Sequence, residues 1–396
     1  MKQKIIQAVV LAGGYGKRLG KLTTNIPKPL LKFKKKSFLL YIVDELKKAE
    51  INNIIILAGF KGDQIDKIFK KNKGVKVLKE KFPLGTGGSL INAKKYLKRN
   101  FILLNGDSYI NTNLKYRILS YKNKFSKLFI IKNHNYKSNK LLSNLYINYK
   151  NKIKFSKKYS FMYSGLSIIK KSILKNIKLE NFSLEEKIFP ALIKKNNLEG
   201  EIINSKFIDI GTRKNYTYAK KNIEKIFEKK CVFFDRDNTL IVDKGYTFLP
   251  KDLKWMPGAI KTIQYLNKKN YLVIVITNQA GVAKGYYTEN HVKLFHKHMN
   301  KVLYKHNAII DDFFYCPFHP KGKGKFKKNT KLRKPGNLMI KNSIKKWKID
   351  IKNSFFIGDT IKDEVAARKT GLEFYYVSKD QNLFSLTKNI LKKYES

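Results

Sequence analysis

The sequence predicts two consecutive domains of the α/β class, and three observations carry that expectation. Short apolar runs of strand length recur between amphipathic or polar segments, the rhythm of strands alternating with helices. Several of these runs stop abruptly at glycine or aspartate, the residues expected where an open sheet presents ligand sites at the carboxyl ends of its strands. A charged helical stretch, KKNIEKIFEKK at 220–230, then separates two sets of such runs. The chain has 396 residues, enough for two or three domains that each bury a core. The boundary falls inside that stretch, giving domains 1–226 and 227–396.

In the first half the strand-like runs are QAVVLA from Gln7, NIIILAG at 53–59, VKVL at 75–78, FILLNGD at 101–107, KLFIIK at 127–132, YSGLSIIK at 163–170 and FIDIG at 207–211. Polar or amphipathic segments separate the first four, which predicts a largely parallel sheet. The segment after the first run, LAGGYGKRLGKLTTNIPKPLL from Leu11 to Leu31, combines glycines with cations. Leu11, Ala12, Gly13, Gly14 and Gly16 form a loop whose missing Cβ atoms let backbone N–H groups approach phosphate oxygens. Arg18 supplies a planar fork of donors for a pyrophosphate, and Lys28, between Pro27 and Pro29, supplies a compact charge on a stiff segment. A dinucleotide fingerprint is excluded, because Leu19 stands where the third glycine belongs.

This segment, with G-x-G-x-R-L, Thr23 and P-K-P-L, resembles the signature of the sugar-1-phosphate nucleotidyltransferases. The resemblance implies a Rossmann-like mixed sheet and attack by a sugar-1-phosphate oxygen on the α-phosphorus of a nucleoside triphosphate. It also implies that Asp107, in LLNGDSY, and Asp209, in FIDIGT, share Mg²⁺. PLGTGGSL from Pro83 resembles the family's nucleobase loop, with Gly85, Gly87 and Gly88 against the base; Glu80, just before it, either accepts from guanine N1–H and the 2-amino group or is a solvated charge between Lys79 and Lys81. The family's sugar-phosphate element is altered here to Phe155, Ser156, Lys157 and Lys158, leaving Lys157 for the phosphate. Ser183 and Glu186 form a capping-box pattern near the implied sugar pocket. The resemblance further implies GTP as the nucleotide and heptose 1-phosphate as the sugar, since the α-anomeric GDP-heptose route uses this type of transferase.

In the second half, KCVFFDRDNTL ends an apolar run in Asp235 and Asp237, two residues apart and so expected on one side of an extended chain. One carboxylate suits attack on phosphorus and the other proton transfer. YLVIVITNQAG ends in Thr277 and Asn278, LRKPG contains Lys334, and SFFIGDTIKDE carries Asp359 and Asp363. These four pieces, in order, resemble the haloacid-dehalogenase-type phosphatases, which implies a doubly wound parallel sheet. The resemblance makes Asp235 the nucleophile, Asp237 the acid and base, and Asp235, Asp237 and Asp359 the Mg²⁺ ligands. Thr277, Asn278 and Lys334 then bind the phosphoryl group, and Asp363 orients Lys334 or metal-bound water.

DRDNTLIVDKGY, TNQAGVAKGYYTE, YCPFHP and RKPG narrow the likeness to the heptose-1,7-bisphosphate 7-phosphatases. That likeness implies substrate contacts at Asp243 to Tyr246, at Thr277, Asn278 and Gln279 as far as Ala280, and at Arg333 with Lys334. The family's zinc loop is broken, since Phe318, Thr330 and Leu332 replace ligands and only Cys316 and a displaced His319 remain; no zinc is expected.

Composition bounds the rest. The net charge is +55, but the lysines are spread along the whole chain and no nucleic-acid-binding signature is present, so no nucleic-acid partner is expected. The expected partners are sugar phosphates and a nucleoside triphosphate, with no membrane, since no apolar run approaches the ~20 residues a span needs. The apolar start, MKQKIIQAVVLAGG, runs straight into the phosphate loop and is not a secretory signal. Two cysteines provide no disulfide framework, which predicts a reducing cytoplasm. His291, His296, His298 and His306 do not form a metal motif.

Overall fold

The computed structural model describes residues 5–122, 124–132, 141–156 and 161–395. These divide into two compact units, one of residues 1–114 with 121–226 and the other of 115–120 with 227–396.

In the first unit, strands β1 (Gln7–Leu11), β2 (Asn53–Ala58), β3 (Val75–Lys79) and β4 (Asn100–Asn105) pair in parallel in the order β4-β1-β2-β3. β1 is buried over most of its length, and Val9 packs with Ile55, Leu57 and Leu103 in the main core cluster. A parallel strand covered on both faces needs such a continuous apolar run. The sheet then turns mixed. After β5 (Ser108–Ile110) and β6 (Ser126–Lys132) come β7 (Leu145–Ile147), β8 (Ile153–Phe155) and the ten-residue β9 (Phe161–Lys170), which runs antiparallel to β4, β6 and β7. β10 (Leu198–Ile202) pairs in parallel with β6, and β11 (Phe207–Asp209) pairs with β5 as a separate antiparallel ribbon. That ribbon places Asp209 opposite Ser108, beside Asp107.

Helix α1 (Phe38–Lys48) buries Leu39, Ile42, Val43 and Leu46 along one face, and α2 (Gly62–Phe69) buries Ile65 and Phe69. The short α3 (Gly85–Asn92) follows β3, and α4 (Arg213–Phe227) closes the half.

The second unit holds a five-stranded sheet whose recorded pairings are all parallel. Its strands are β12 (Cys231–Phe234), β13 (Leu272–Asn278), β14 (Asp312–Cys316), β15 (Phe355–Gly358) and β16 (Glu373–Tyr376), in the order β14-β13-β12-β15-β16. Side chains alternate between two core layers. Val232, Phe234, Val273 and Val275 belong to one cluster, and Cys231, Phe233, Leu272, Ile274 and Ile276 belong to the other. Helices α5 (Ala259–Lys268), α6 (Ala280–Lys284), α7 (Glu289–Lys305), α8 (Leu338–Trp347), α9 (Ile361–Arg368) and α10 (Leu383–Glu395) complete the unit. No helix among the described residues is long and apolar enough to cross a membrane.

Candidate active sites

The first site lies at the carboxyl ends of β1 and β4. A cavity of about 350 Å³ is lined by Leu11, Ala12, Gly13, Gly14 and Tyr15 on one side and by Lys28, Asn105 and Asp107 on another. Glu80, Leu84, Gly85, Thr86 and Ser89 complete the wall. Gly16 lies outside this lining and shapes the loop instead: its φ is +68°, and its carbonyl accepts the Thr23 hydroxyl at 3.0 Å. A Cβ there would sit 3.1 Å from Thr23 Cγ2, so glycine relieves both the torsion and the contact.

The charged groups converge. Lys28, buried between its two prolines, forms an ion pair with Asp107. A Cβ built on Gly211 would lie 2.6 Å from Asp209 Oδ1, 3.1 Å from Arg18 Nη2 and 3.3 Å from Lys28 Nζ, so all three surround that glycine. Ile210 donates its N–H to the Asp107 carbonyl at 2.9 Å, tying the two aspartate segments together. Two carboxylates facing an arginine and a lysine suit a hard divalent cation and an anionic, phosphate-bearing ligand.

Glu80 stands in the cavity wall, and a Cβ on Gly13 would meet both its carboxylate oxygens at 3.3 Å. Burial raises its pKa, opposed by hydrogen bonds from Ser89 and the Leu84 backbone. The structure corrects two of the expected base contacts. Gly87 and Gly88 face away from the cavity lining and are packing glycines. A Cβ on Gly87 would come within 2.0 Å of the Phe182 ring, and one on Gly88 within 2.2 Å of the Glu180 carbonyl. Beside them, Glu185 accepts the Thr86 hydroxyl at 2.6 Å and the Ser183 hydroxyl at 3.0 Å, which ties α3 to the segment from Ser183. Lys157 and Lys158 lie outside the described residues.

The second site sits at the carboxyl ends of β12, β13 and β15. Asp235, Asp359 and Asp363 each present an oxygen within 4.8 Å of the others. Lys334 is 3% exposed, and its ammonium lies 2.8 Å from Asp235 Oδ1, 2.5 Å from Asp363 Oδ1 and 2.9 Å from the Ile276 carbonyl. Three carboxylates against one ammonium leave two negative charges uncompensated. Burial pushes the Asp235 pKa up, with Asp363 and Asp237 adding to the shift against the opposing pull of Lys334. Burial and Asp363 raise Asp359 in the same way. A divalent cation is the charge this donor set lacks, and its all-oxygen chemistry fits Mg²⁺.

Asp237 departs from the expectation of a shared side and a shared metal site. The chain leaves the extended conformation after Phe234, with Asn238 at φ +54°, so two-residue alternation no longer applies. The Asp237 carboxylate turns to Arg236, accepting Nε at 2.7 Å on Oδ1 and Nη2 at 3.2 Å on Oδ2. Asp363 takes the third position in the carboxylate cluster. It comes close because residue 358 is glycine: a Cβ there would meet the Asp363 side chain at 2.9 Å.

Other expected substrate contacts are engaged in holding the site. Asn278 clasps the Lys334 backbone at two points, accepting its N–H at 3.0 Å and donating to its carbonyl at 3.1 Å. Asp243 Oδ1 accepts the Thr247 N–H at 2.9 Å and its hydroxyl at 2.7 Å, which closes a turn. Thr277 and Gln279 are 0% and 1% exposed, too buried to meet substrate directly. Tyr246 and Arg333 remain accessible. The Lys284 ammonium donates to the Tyr246 hydroxyl at 2.5 Å, and the Tyr246 ring packs edge-on to Tyr286 at 4.8 Å. His319 has its pKa lowered by burial and by Arg333, Lys284, Lys321 and Lys362. Among the described residues no carboxylate pairs with Lys284 or Arg333, and a cationic face of this kind attracts a phosphate.

The zinc-loop positions do not fit a metal. The Cys316 thiol is buried beside Phe318 and Leu332, and burial raises its pKa. His319 Nδ1 accepts the Lys321 N–H at 3.0 Å, and its ring faces cations. The loop is ordered by the Phe318–Phe326 ring contact at 6.0 Å and by backbone bonds between His319 and both Phe326 and Lys328.

Comparison with known proteins finds relatives for both halves of the chain. The nucleotidyl transferase family profile matches residues 7–140, and the polynucleotide kinase 3 phosphatase profile matches residues 230–387. The D-glycero-beta-D-manno-heptose-1,7-bisphosphate 7-phosphatase of Haemophilus ducreyi is 35% identical over 146 residues, covering 37% of this chain and 80% of that protein. The D-glycero-alpha-D-manno-heptose-1,7-bisphosphate 7-phosphatase of Campylobacter jejuni is 34% identical over 134 residues, 34% of this chain and 73% of that protein. The crystal structure of HddC from Yersinia pseudotuberculosis matches with a TM-score of 0.48 at 27% identity, over 55% of this chain and 100% of that one. Through its C-terminal half the chain belongs to the family of heptose-bisphosphate 7-phosphatases, and that half is joined to a nucleotidyltransferase domain in one enzyme with both activities.

Proposed function

We propose that the chain makes a nucleotide-activated heptose. Residues 227–396 remove the 7-phosphate of D-glycero-D-manno-heptose 1,7-bisphosphate, and residues 1–226 join the heptose 1-phosphate to GMP from GTP, releasing pyrophosphate. The observation that carries this reading is the pairing itself: relatives of the C-terminal half are named for a reaction whose product is a sugar 1-phosphate, the substrate class of the N-terminal half.

In the phosphatase half, Asp235 attacks the 7-phosphorus and forms an aspartyl-phosphate while Asp237 protonates the departing sugar oxygen. Asp237 then takes a proton from water, whose oxygen displaces Asp235 and frees inorganic phosphate. Lys334 holds Asp235 in place and offsets its charge. Asp235, Asp359 and Asp363 would hold Mg²⁺, which neutralises phosphoryl oxygens when bound. The cationic face of Lys284 and Arg333 receives the phosphate that is retained.

In the transferase half, the sugar 1-phosphate oxygen attacks the α-phosphorus in line, with no covalent enzyme intermediate. Arg18 and Lys28 hold the phosphates, and Asp107 and Asp209 would hold Mg²⁺ there. Glu80 supports the choice of guanine: a carboxylate accepts from guanine N1–H and the 2-amino group together, and adenine offers no such pair of donors. Both substrates and two unpaired cysteines fit a cytoplasmic setting.

The test is incubation of the purified protein with the bisphosphate, Mg²⁺ and each of four nucleoside triphosphates. Phosphate release in every case and pyrophosphate release with GTP alone are expected, with Glu80→Gln eroding that preference. Phosphate without pyrophosphate under any nucleotide would sink the transferase assignment.

A further inference from the structure

Gln279 sits directly after the Thr277–Asn278 pair and is 1% exposed, yet its side-chain amide is used at both ends. Nε2 donates to Asp237 Oδ2 at 3.0 Å and to Thr277 Oγ1 at 2.9 Å. Oε1 accepts the Tyr287 hydroxyl at 2.8 Å. The orientation follows from chemistry, because an ionised carboxylate only accepts and must face the NH₂ end, while the phenol hydroxyl can donate to the oxygen end. Tyr287 is itself 5% exposed and its ring stacks on Phe248 at 4.7 Å, so the far end of this chain of bonds is anchored in packed structure.

We infer that Gln279 and Tyr287 are positioning residues for the proton transfer made by Asp237, and that neither contacts the sugar. The inference rests on the reading of Asp237 as acid and base given above. Arg236 alone engages both carboxylate oxygens from one side. Gln279 adds a second donor to Oδ2, a further restraint on the carboxylate. Oδ2 then carries two donors and Oδ1 only one, so Oδ1 is the oxygen left to bear the transferred proton. The Tyr287 hydroxyl holds the amide oxygen at the far end, and a rotated amide would set that oxygen against the Asp237 carboxylate, acceptor against acceptor.

The experiment compares kcat/KM for the heptose bisphosphate, whose alkoxide leaving group needs protonation, with kcat/KM for 4-nitrophenyl phosphate, whose leaving group does not. This parameter reports steps through formation of the aspartyl-phosphate, so the two substrates differ in their need for the acid. Asp237→Asn serves as the reference and should lose activity on the sugar substrate selectively. Gln279→Leu is expected to show the same selectivity, with a drop on the order of tenfold to a hundredfold on the sugar substrate and little change on the aryl one. Tyr287→Phe keeps the ring packing and removes only the hydroxyl, and should give a smaller drop with the same signature.

If Asp237→Asn is selective but Gln279→Leu and Tyr287→Phe lower both substrates equally, or neither, the positioning role is overturned while the acid assignment stands. If Asp237→Asn lowers both substrates equally, the acid assignment falls and this inference falls with it.

Discussion

Replacing Lys334 by methionine tests how charge is balanced in the phosphatase centre. The ammonium is 3% exposed, donates to the Ile276 carbonyl and forms ion pairs with Asp235 and Asp363, so two carboxyl groups rely on its charge. Methionine retains most of the stem volume but leaves three clustered carboxylates with no internal cation. Breaking a buried pair of this kind costs about 3–5 kcal/mol. For a unit of this size each kcal/mol moves the melting temperature by about 2–4 °C, so the variant should melt roughly 6–20 °C lower in metal-free buffer. Adding Asp363→Asn removes one of the orphaned charges and should recover part of the loss, a coupling of about 0.5–3 kcal/mol. The assay is thermal unfolding of the full chain in chelator, followed by circular dichroism. A single variant that melts within a degree of the wild type, or a double variant whose losses simply add, would refute this account.

Other outcomes follow from the same geometry. The folded-state pKa of Asp235 is raised to about 8, so without metal the folded chain binds a proton more tightly than the unfolded one. That contribution to stability is complete below the ordinary aspartate range and is lost as pH rises toward 8; added Mg²⁺ should therefore raise the melting temperature more at pH 8 than at pH 5, and an equal effect at both would contradict it. Arg18→Ala and Lys28→Ala should each lower pyrophosphate release on the order of a hundredfold while phosphate release from the bisphosphate stays at the wild-type rate. Loss of both activities would show that the two centres are not separate. Because Cys316 and His319 do not converge on a metal, a zinc-selective chelator should leave the melting temperature of the chain unchanged, and a drop of several degrees would show a bound ion.

Much of this was legible in the sequence because it rested on strand ends. The runs closing in Asp107, Asp235 and Asp359 are apolar and long enough to be read, and their terminal carboxylates fall where the sheets present ligands. The three-residue strands Ser108–Ile110, Leu145–Ile147 and Ile153–Phe155 carry too few residues for a period to show, so the separate ribbon and the antiparallel edge of the first sheet were not readable in detail. The orientation of Asp237 was hidden for another reason. Two-residue alternation holds only while the chain is extended, and the turn at Asn238 ends it. Gln279 and Asn278 looked like substrate contacts by position, but which way a buried amide is spent depends on neighbours such as Tyr287 and Lys334 that lie 8 and 56 residues away.

The tight seating of Gly87 and Gly88 on the 180–182 segment bears on how the transferase half can change over time. The helix that carries Gly85, Thr86 and Ser89 into the nucleotide cavity is locked from behind, with no room for even a methyl group at either position. A shift in nucleotide preference is therefore barred from arising by sliding that helix. On the proposed reading of this cavity, such a change is left to side chains on its inner wall, Glu80 among them.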